Sequence, residues 1–270
     1  MTTLDEIITG IDRIWPFSGQ ESWDASGLVC GNRATTIRRI LLAVDPVAAV
    51  VSEAEELDVD LVITHHPLLL RGVTSVAEDG YKGALIARLI RADCALLSCH
   101  TNADVVVGGV SAVIADALVL RDVSPLSARP DGATGIGRVG DLPASTSLRE
   151  FAERCAALFP DTAQGLRVAG DPEQTVSRVA LCGGAGDSLL GDARAAGADV
   201  YVTSDLRHHP ASEFREQSLL GDGAALVDVS HWAAESLWLD TAALQLAELV
   251  PDAEITVSRR RTDPFDFVVH

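Results

Sequence analysis

The chain has 270 residues, of which 47% are hydrophobic and 22% are charged, and this is the composition of an ordinary globular protein. Its 39 acidic residues outnumber its 21 basic ones, so the net charge is −18 and the surface repels the phosphates of nucleic acids and anionic membranes. We therefore expect no nucleic acid and no membrane as partners, whereas cations are attracted. The start of the chain has no secretory signal pattern and the 5 cysteines form no CxxC pair, so we expect a cytoplasmic protein with reduced thiols.

The first half of the chain predicts strands that alternate with helices. Apolar runs at 37–45, 59–64 and 94–99 have the length and composition of buried strands. Helix-forming residues occupy the intervals between them, at 46–57 and 83–91. Such alternation is typical of parallel βαβ units, whose sheets are covered by helices on both faces.

The second half repeats this order. Apolar runs at 177–182, 199–203 and 224–229 again predict strands, and a helix that ends near residue 196 lies between the first two. In both halves a His-His-Pro triplet follows the second strand, and a His-x-x-x-carboxylate motif follows the third. We therefore predict an α/β fold of two related modules with mostly parallel sheets flanked by helices.

The domain boundaries follow from this repeat. We predict a first module at 1–125 and a second at 126–250. The remaining residues, 251–270, contain a terminal strand at 254–258 that can return to the first module.

The segment at 121–174 differs from the rest, because turn residues break it repeatedly. It predicts a connector that contains one helix, at 147–158. That helix has the sequence of a capping box, with Ser147 as N-cap and Glu150 three residues later.

Imidazoles and carboxylates gather at the predicted strand ends, where ligands bind in parallel α/β sheets. His65 and His66 follow the second strand of the first half. Because neighbouring residues of an extended chain point to opposite sides, these two imidazoles can serve two different metal ions. His100 follows the third strand, with Asp104 four residues on.

The matching motif of the second half is His231 and Glu235, at the start of a helix predicted over 232–248. Their spacing places both on one helical face, where an imidazole and a carboxylate suit a shared divalent ion. A single motif of this kind also occurs on solvated and core faces of helices. The two histidine pairs and the two His-x-x-x-carboxylate motifs together favour a metal site.

Two glycine-rich segments are candidate binding motifs. Residues 135–140 match G-x-G-x-x-G, but no long apolar strand precedes them and no helix follows, so a plain turn is favoured over a nucleotide site. Residues 183–186 lie between a strand and a helix, where backbone N–H groups can approach an anion. A tight turn is the simpler interpretation of that segment.

Seven segments of the chain carry a pattern that occurs together in one family. They are Trp23–Leu28, Thr64–Pro67, His100–Asp104, Gly135–Arg138, Gly183–Gly186, Thr203–His209 and Ser230–Glu235. By this ordered set, nearly the whole chain resembles the NIF-three-like dinuclear metal-centre family, often named GTP cyclohydrolase I type 2 homologs. Two positions depart from the pattern: Ala25 stands where Asn is usual and Ser204 where Gly is common. Neither is a ligand position.

The resemblance implies a two-domain α/β protein that assembles as a homohexamer, with a two-metal site at the junction of its modules. Two divalent ions per chain are implied, of a type (zinc, iron, manganese or nickel) that imidazole and carboxylate ligands suit. Their implied ligands are His65, His66, Asp104, His231 and Glu235. The resemblance further implies that His100 and His208 lie close by, either behind the metal ligands or as catalytic acid–base groups, and we predict the catalytic role.

The leading hypothesis is a metal-dependent hydrolase of the GTP cyclohydrolase I type 2 homolog type, in which two ions activate a water and polarise a small-molecule substrate. The alternative is a hexameric scaffold that binds metal or regulates a partner without catalysis. A third interpretation is a structural metal that stabilises the junction of the modules.

Overall fold

A computed structural model describes residues 2–269 of the chain. Its strands are β1 Thr2–Thr3, β2 Gly27–Cys30, β3 Thr36–Ile37, β4 Arg39–Ala43, β5 Leu61–Thr64, β6 Ala95–Ser98, β7 Arg121–Ser124, β8 Ser127–Ala128, β9 Gly135–Ile136, β10 Arg138–Ser147, β11 Arg167–Ala169, β12 Thr175–Ala185, β13 Val200–Ser204, β14 Ala225–Val229 and β15 Glu254–Val257. Its α-helices are α1 Leu4–Ile14, α2 Ala48–Glu56, α3 Tyr81–Arg91, α4 Thr101–Asp104, α5 Val110–Ala117, α6 Leu148–Leu158, α7 Leu190–Ala195, α8 His208–Gln217, α9 His231–Ser236 and α10 Trp238–Leu249.

The chain divides into two compact units. The first unit contains the described residues up to Val106 together with Leu239–Thr262. The second unit contains Val107–Trp238 together with the described residues from Asp263 on. The module boundaries expected at residues 125 and 250 stay a prediction.

The sheet of the first unit has the strand order β15-β4-β5-β6-β2. Its first four strands are parallel, and β2 joins the edge antiparallel to β6. Every residue of β5 and β6 is buried, as expected of strands with helices on both faces. On one face, Leu41, Val62 and Leu96 of neighbouring strands pack in a single apolar cluster with Val50 of α2 and Leu89 of α3. This packing fixes the strand ends from which the candidate site residues project.

The sheet of the second unit has the strand order β11-β14-β13-β12-β10-β7. Only its centre is parallel: β12, β13 and β14 run the same way, while β10, β7 and β11 are antiparallel to their neighbours. In both units, three parallel strands thus follow in chain order, with a helix after each strand. The predicted α/β architecture with this internal repeat is confirmed.

Two expectations about local structure are corrected. The segment at 121–174 is no mere connector, because it supplies β7, β10, α6 and β11 to the unit. Its strands are antiparallel and partly exposed, so they lack the continuous apolar run by which buried parallel strands are found. The helix predicted over 232–248 is interrupted at Leu237, between α9 and α10.

Other local expectations are confirmed. Ser147 caps α6, and the capping box with Glu150 is present in full. By contrast, the glycine motif at 135–140 is not the plain turn that was expected, because it lies in β9 and at the start of β10. Within residues 2–269 no helix has both the length and the apolar character that a membrane span requires.

Candidate metal centre

His65 and His66 extend β5 at its carboxyl end. Their backbone N–H groups donate to the carbonyls of Ala43 and Val44, so both residues continue the sheet pairing of β5 with β4. Nδ1 of His65 lies 2.9 Å from the carbonyl oxygen of Cys99, and this imidazole is fully buried. Because a carbonyl can only accept, His65 donates from Nδ1, and Nε2 is the nitrogen that can act as a metal ligand.

The His66 imidazole is oriented by a carboxylate. Its Nδ1 lies 2.7 Å from Oδ1 of Asp45, which follows β4 on the same edge of the sheet. The other oxygen of Asp45 accepts a hydrogen bond from the Thr262 hydroxyl at 2.5 Å, which holds the carboxylate in place. A carboxylate behind Nδ1 is the usual arrangement for a histidine that binds metal through Nε2.

His100 is oriented in the same way, by Asp24. Nδ1 of His100 lies 2.8 Å from Oδ1 of Asp24, whose side chain is completely buried. Asp24 also accepts hydrogen bonds from the Thr101 N–H group at 3.0 Å and from the Thr101 hydroxyl. Burial by itself raises the pKa of Asp24, but the hydrogen bonds from His100 and Thr101 outweigh it, so the pKa lies well below its usual value.

The first unit brings these three imidazoles together. His65, His66 and His100 each offer a ligand atom, and these atoms all lie within 4.8 Å of one another. The ring centroids are 5.2 to 5.4 Å apart. Asp104, in α4, places Oδ1 at 3.7 Å from Nε2 of His65. The predicted ligands of the first half are therefore neighbours.

The second unit contains the other predicted pair. Nε2 of His231 lies 2.9 Å from Oε1 of Glu235, one turn further along α9, and Glu235 is buried. Nδ1 of His231 lies 2.7 Å from Oδ2 of Asp205. Burial alone lowers the pKa of His231, but the negative charges of Glu235 and Asp205 outweigh it, so the pKa is well above its usual value.

A glycine makes room for this pair. Gly184, at the end of β12, has a φ of +81°, a conformation that other residues rarely adopt. A Cβ atom at this position would lie 2.7 Å from Oε1 of Glu235 and 3.3 Å from Nε2 of His231. The glycine segment therefore forms the end of β12 and leaves space at the imidazole and the carboxylate.

The register within each sheet shows which positions of the two units are equivalent. Thr64 of β5 pairs with Ser98 of β6, and Ser204 of β13 pairs with Val229 of β14. His100 and His231 each follow the third strand by two residues, so they occupy equivalent places.

The same register corrects one expectation. The residues directly after the central strand are 65–66 in the first unit and 205–206 in the second. The His-His-Pro triplet at 208–210 is therefore not the structural counterpart of 65–67, since a three-residue loop precedes it. In the second unit Asp205 takes the place of His65.

His208 is the first residue of α8 and is exposed. Its ring centroid lies 5.2 Å from that of His209. It lines a groove of the second unit together with Arg167, Arg215 and Asp228. Its predicted catalytic role stays a prediction.

Three aspartates that position the imidazoles were missed as site residues: Asp24, Asp45 and Asp205. Two of them, Asp45 and Asp205, lie next to the carboxyl end of a strand, which is a signal that the sequence already contains. Asp24 is part of the Trp-Asp motif, but its contact with His100 joins residues 76 positions apart. Cys99, beside His100, is no nucleophile, because it is fully buried and burial raises the pKa of its thiol far above the usual value.

The donor set fits a divalent transition metal. Imidazole nitrogens and carboxylate oxygens are the ligands that zinc, iron, manganese and nickel share. Each imidazole of the set has Nδ1 bonded to a carbonyl or carboxylate oxygen, as described above, which fixes the ring orientation and leaves Nε2 as the atom for a metal. Each unit therefore contains side chains that could bind a metal ion.

A model of the Duf34/NIF3 (NGG1p interacting factor 3) family matches residues 2–264. The chain belongs to this family. A Duf34/NIF3 relative from Streptomyces coelicolor, named GTP cyclohydrolase 1 type 2 homolog, is 48% identical and covers 98% of this chain and 94% of its own length. A relative of the same name from Clostridium perfringens is 34% identical, with coverage of 98% and 99%.

Solved structures share this fold. A Bacillus cereus protein related to NIF3 superimposes with a TM-score of 0.90 over 99% of both chains, at 24% identity, which shows the fold alone. Reduced HcgD from Methanocaldococcus jannaschii has a TM-score of 0.79 at 27% identity, covering 96% of this chain and 98% of its own. The resemblance to the family that the motifs predicted is confirmed.

Proposed function

We propose that this Duf34/NIF3 protein binds two divalent metal ions and uses them to hydrolyse a small-molecule substrate. The proposed ligands are His65, His66 and Asp104 of the first unit and His231 and Glu235 of the second. One observation carries the proposal. Three imidazoles of the first unit each place a ligand atom within 4.8 Å of the other two, and Nδ1 of each ring contacts a hydrogen-bond acceptor. Holding several imidazoles in fixed orientations costs side-chain entropy, and it is typical of histidines that bind a metal.

Charge supports the choice of ligand. A net charge of −18 attracts cations to the protein and resists polyanions. Burying Glu235 beside His231 carries a desolvation cost that a divalent ion would offset. A substrate with several phosphates has to be neutralised locally by the ions.

Two bound divalent ions would supply Lewis acidity, which lowers the pKa of a water and polarises the electrophilic atom of the substrate. His100 would serve as proton acceptor. Its Nδ1 is held by Asp24, so Nε2 is the basic atom, and the ionised carboxylate stabilises the imidazolium that forms. His208 is the second candidate for this proton transfer, and a His208→Asn variant separates its role from that of His100.

The names of the relatives support a substrate with an electrophilic carbon or phosphorus, as in a nucleotide. The Streptomyces coelicolor relative is named GTP cyclohydrolase 1 type 2 homolog, so GTP is the first substrate to test. We further propose that the protein is cytoplasmic and forms a homohexamer. Light scattering on the purified protein tests the oligomeric state.

The deciding experiment measures metal content and turnover on the same samples. Protein purified without chelator should contain two equivalents of a divalent metal by mass spectrometry. His66→Ala should lose at least one of them, while His209→Ala, an exposed imidazole outside the proposed ligand set, should retain both. Metal-dependent hydrolysis of GTP or phosphoesters should disappear in His66→Ala.

Two outcomes would contradict the proposal. Protein without stoichiometric metal, unchanged by His66→Ala, would exclude the metal centre. Tight metal binding without turnover of any nucleotide or phosphoester would favour the non-catalytic scaffold over the hydrolase.

A further inference from the structure

Trp23 is exposed to an extent unusual for tryptophan. Its relative exposure is 59%, whereas Trp15 and Trp238 are 0% and 1% exposed. An indole left in water loses the large favourable free energy of burying an aromatic ring. An exposed indole next to a candidate site offers an apolar aromatic face that a ligand can cover.

The exposed indole lies beside the candidate metal centre. The ring centroids of Trp23 and His100 are 5.8 Å apart, and the ring planes meet at 76°. The edge of one ring thus faces the other. His100, the proposed proton acceptor, is thus in contact with Trp23. Among the described residues of the first unit, Trp23 is the one exposed tryptophan.

Hydrogen bonds hold the backbone of the segment that carries Trp23. The Asp24 N–H group donates to the Glu21 carbonyl at 3.0 Å, and the Glu21 N–H group donates to the Thr101 hydroxyl at 2.9 Å. The Asp24 carboxylate is bound to His100 and Thr101, as described above. The segment that carries the indole is therefore attached to Thr101, the first residue of α4, which directly follows the proton acceptor His100.

We propose that Trp23 stacks on a planar aromatic heterocycle of the substrate and so sets the substrate class. This inference rests on the proposed function. Stacking on a flat ring uses the indole face, which an aliphatic or sugar group would cover less completely. A single exposed indole accepts one ring, not a strand of bases, which agrees with the acidic surface. The substrate is therefore a small molecule with one heterocyclic ring system.

The test compares ligands with and without a ring. Metal-loaded wild-type, Trp23→Ala and Trp23→Phe proteins are titrated with GTP, ATP, flavin mononucleotide and tripolyphosphate by calorimetry. Trp23→Ala should weaken binding of the preferred aromatic ligand about tenfold, and Trp23→Phe by clearly less, since a phenyl ring still stacks. Tripolyphosphate, which has no ring, should bind all three proteins equally.

A matched control is Ile90→Ala. Ile90 is an exposed apolar residue of the same unit, at 58% exposure, in the last turn of α3 near the amino end of β6. It should bind every probe as the wild type does. Equal loss in Ile90→Ala would show a general effect of removing surface apolar area and would overturn the proposal.

The remaining outcomes separate this inference from the proposed function. If wild type binds metal but none of the three aromatic probes, or if Trp23→Ala binds them unchanged, the stacking role is wrong and the metal centre is unaffected. If Trp23→Ala changes the oligomer size in sedimentation, the indole is a contact with a second copy and the stacking role is wrong. If wild type binds no metal, the proposed function itself fails.

Discussion

Oδ2 of Asp205 lies 2.7 Å from Nδ1 of His231, and this carboxylate stands where the first unit has His65. The two residues occupy equivalent strand ends, but the imidazole and the carboxylate have different roles. In the first unit the residue after the central strand is a proposed ligand. In the second unit it holds a ligand in place.

Asp205→Asn should weaken metal binding by about 10- to 100-fold, the usual effect of losing a carboxylate behind a ligand histidine. Asn tolerates the left-handed backbone that Asp205 adopts at a φ of 58°, so the fold should be retained. Asp122→Asn is the matched control, because Asp122 also has a positive φ, of 53°, and is exposed. Metal titration checks both, and equal affinities in the two variants would contradict the positioning role.

Gly184→Ala should reduce metal binding more than tenfold, because its Cβ would lie 2.7 Å from Oε1 of Glu235 and displace it. Gly165→Ala is the control for backbone strain: its φ is +57°, and a Cβ there meets no atom within 4 Å. Both variants should lose about 1 kcal/mol of unfolding free energy from the left-handed conformation. Only Gly184→Ala should lose metal, and a loss in both would mean that strain alone is responsible.

Asp24→Asn should lower the free energy of unfolding by about 2 kcal/mol at pH 7, because it removes a buried, multiply hydrogen-bonded charge. The pKa of Asp24 is lower in the folded protein than the value near 3.9 of an unfolded chain. The ionised carboxylate thus stabilises the fold above about pH 4, and this contribution is lost as the pH falls below that value. The difference between wild type and Asp24→Asn should shrink on acidification.

Urea unfolding at several pH values measures this difference. Asp93→Asn serves as control, since Asp93 is exposed and such changes usually stay within about 0.5 kcal/mol. A difference that stays constant from pH 7 to pH 3 would show that Asp24 contributes by shape and not by charge.

The thiols should be unreactive in the folded protein. Cys94, Cys99, Cys155 and Cys182 are buried, and burial raises the pKa of Cys94 and Cys155 to about 12. Since the thiolate is the reactive form, a disulfide reagent at pH 8 should label these four only slowly. In guanidinium chloride all five free cysteines should react. Fast labelling of any of these four thiols in native protein would show that its site opens readily.

The parallel strands and most of the proposed ligands could be predicted from the sequence. The apolar runs of β4, β5 and β6 are buried on both faces, so their hydrophobicity is continuous and visible. Because the carboxyl ends of parallel strands lie at one edge, His65 and His100 were expected to be neighbours, as they are. Strands β7 and β11 consist mostly of exposed residues and left no comparable signal.

The sequence by itself determined the fold class, the family and which side chains follow the strand ends, since these depend on local hydrophobicity and chain order. Only the tertiary structure decided that Asp24, Asp45 and Asp205 support the imidazoles, and that Trp23 remains exposed beside His100. Hydrogen bonds such as that from His100 to Asp24 join residues 76 positions apart, and no local pattern encodes a contact made by the packing of distant segments.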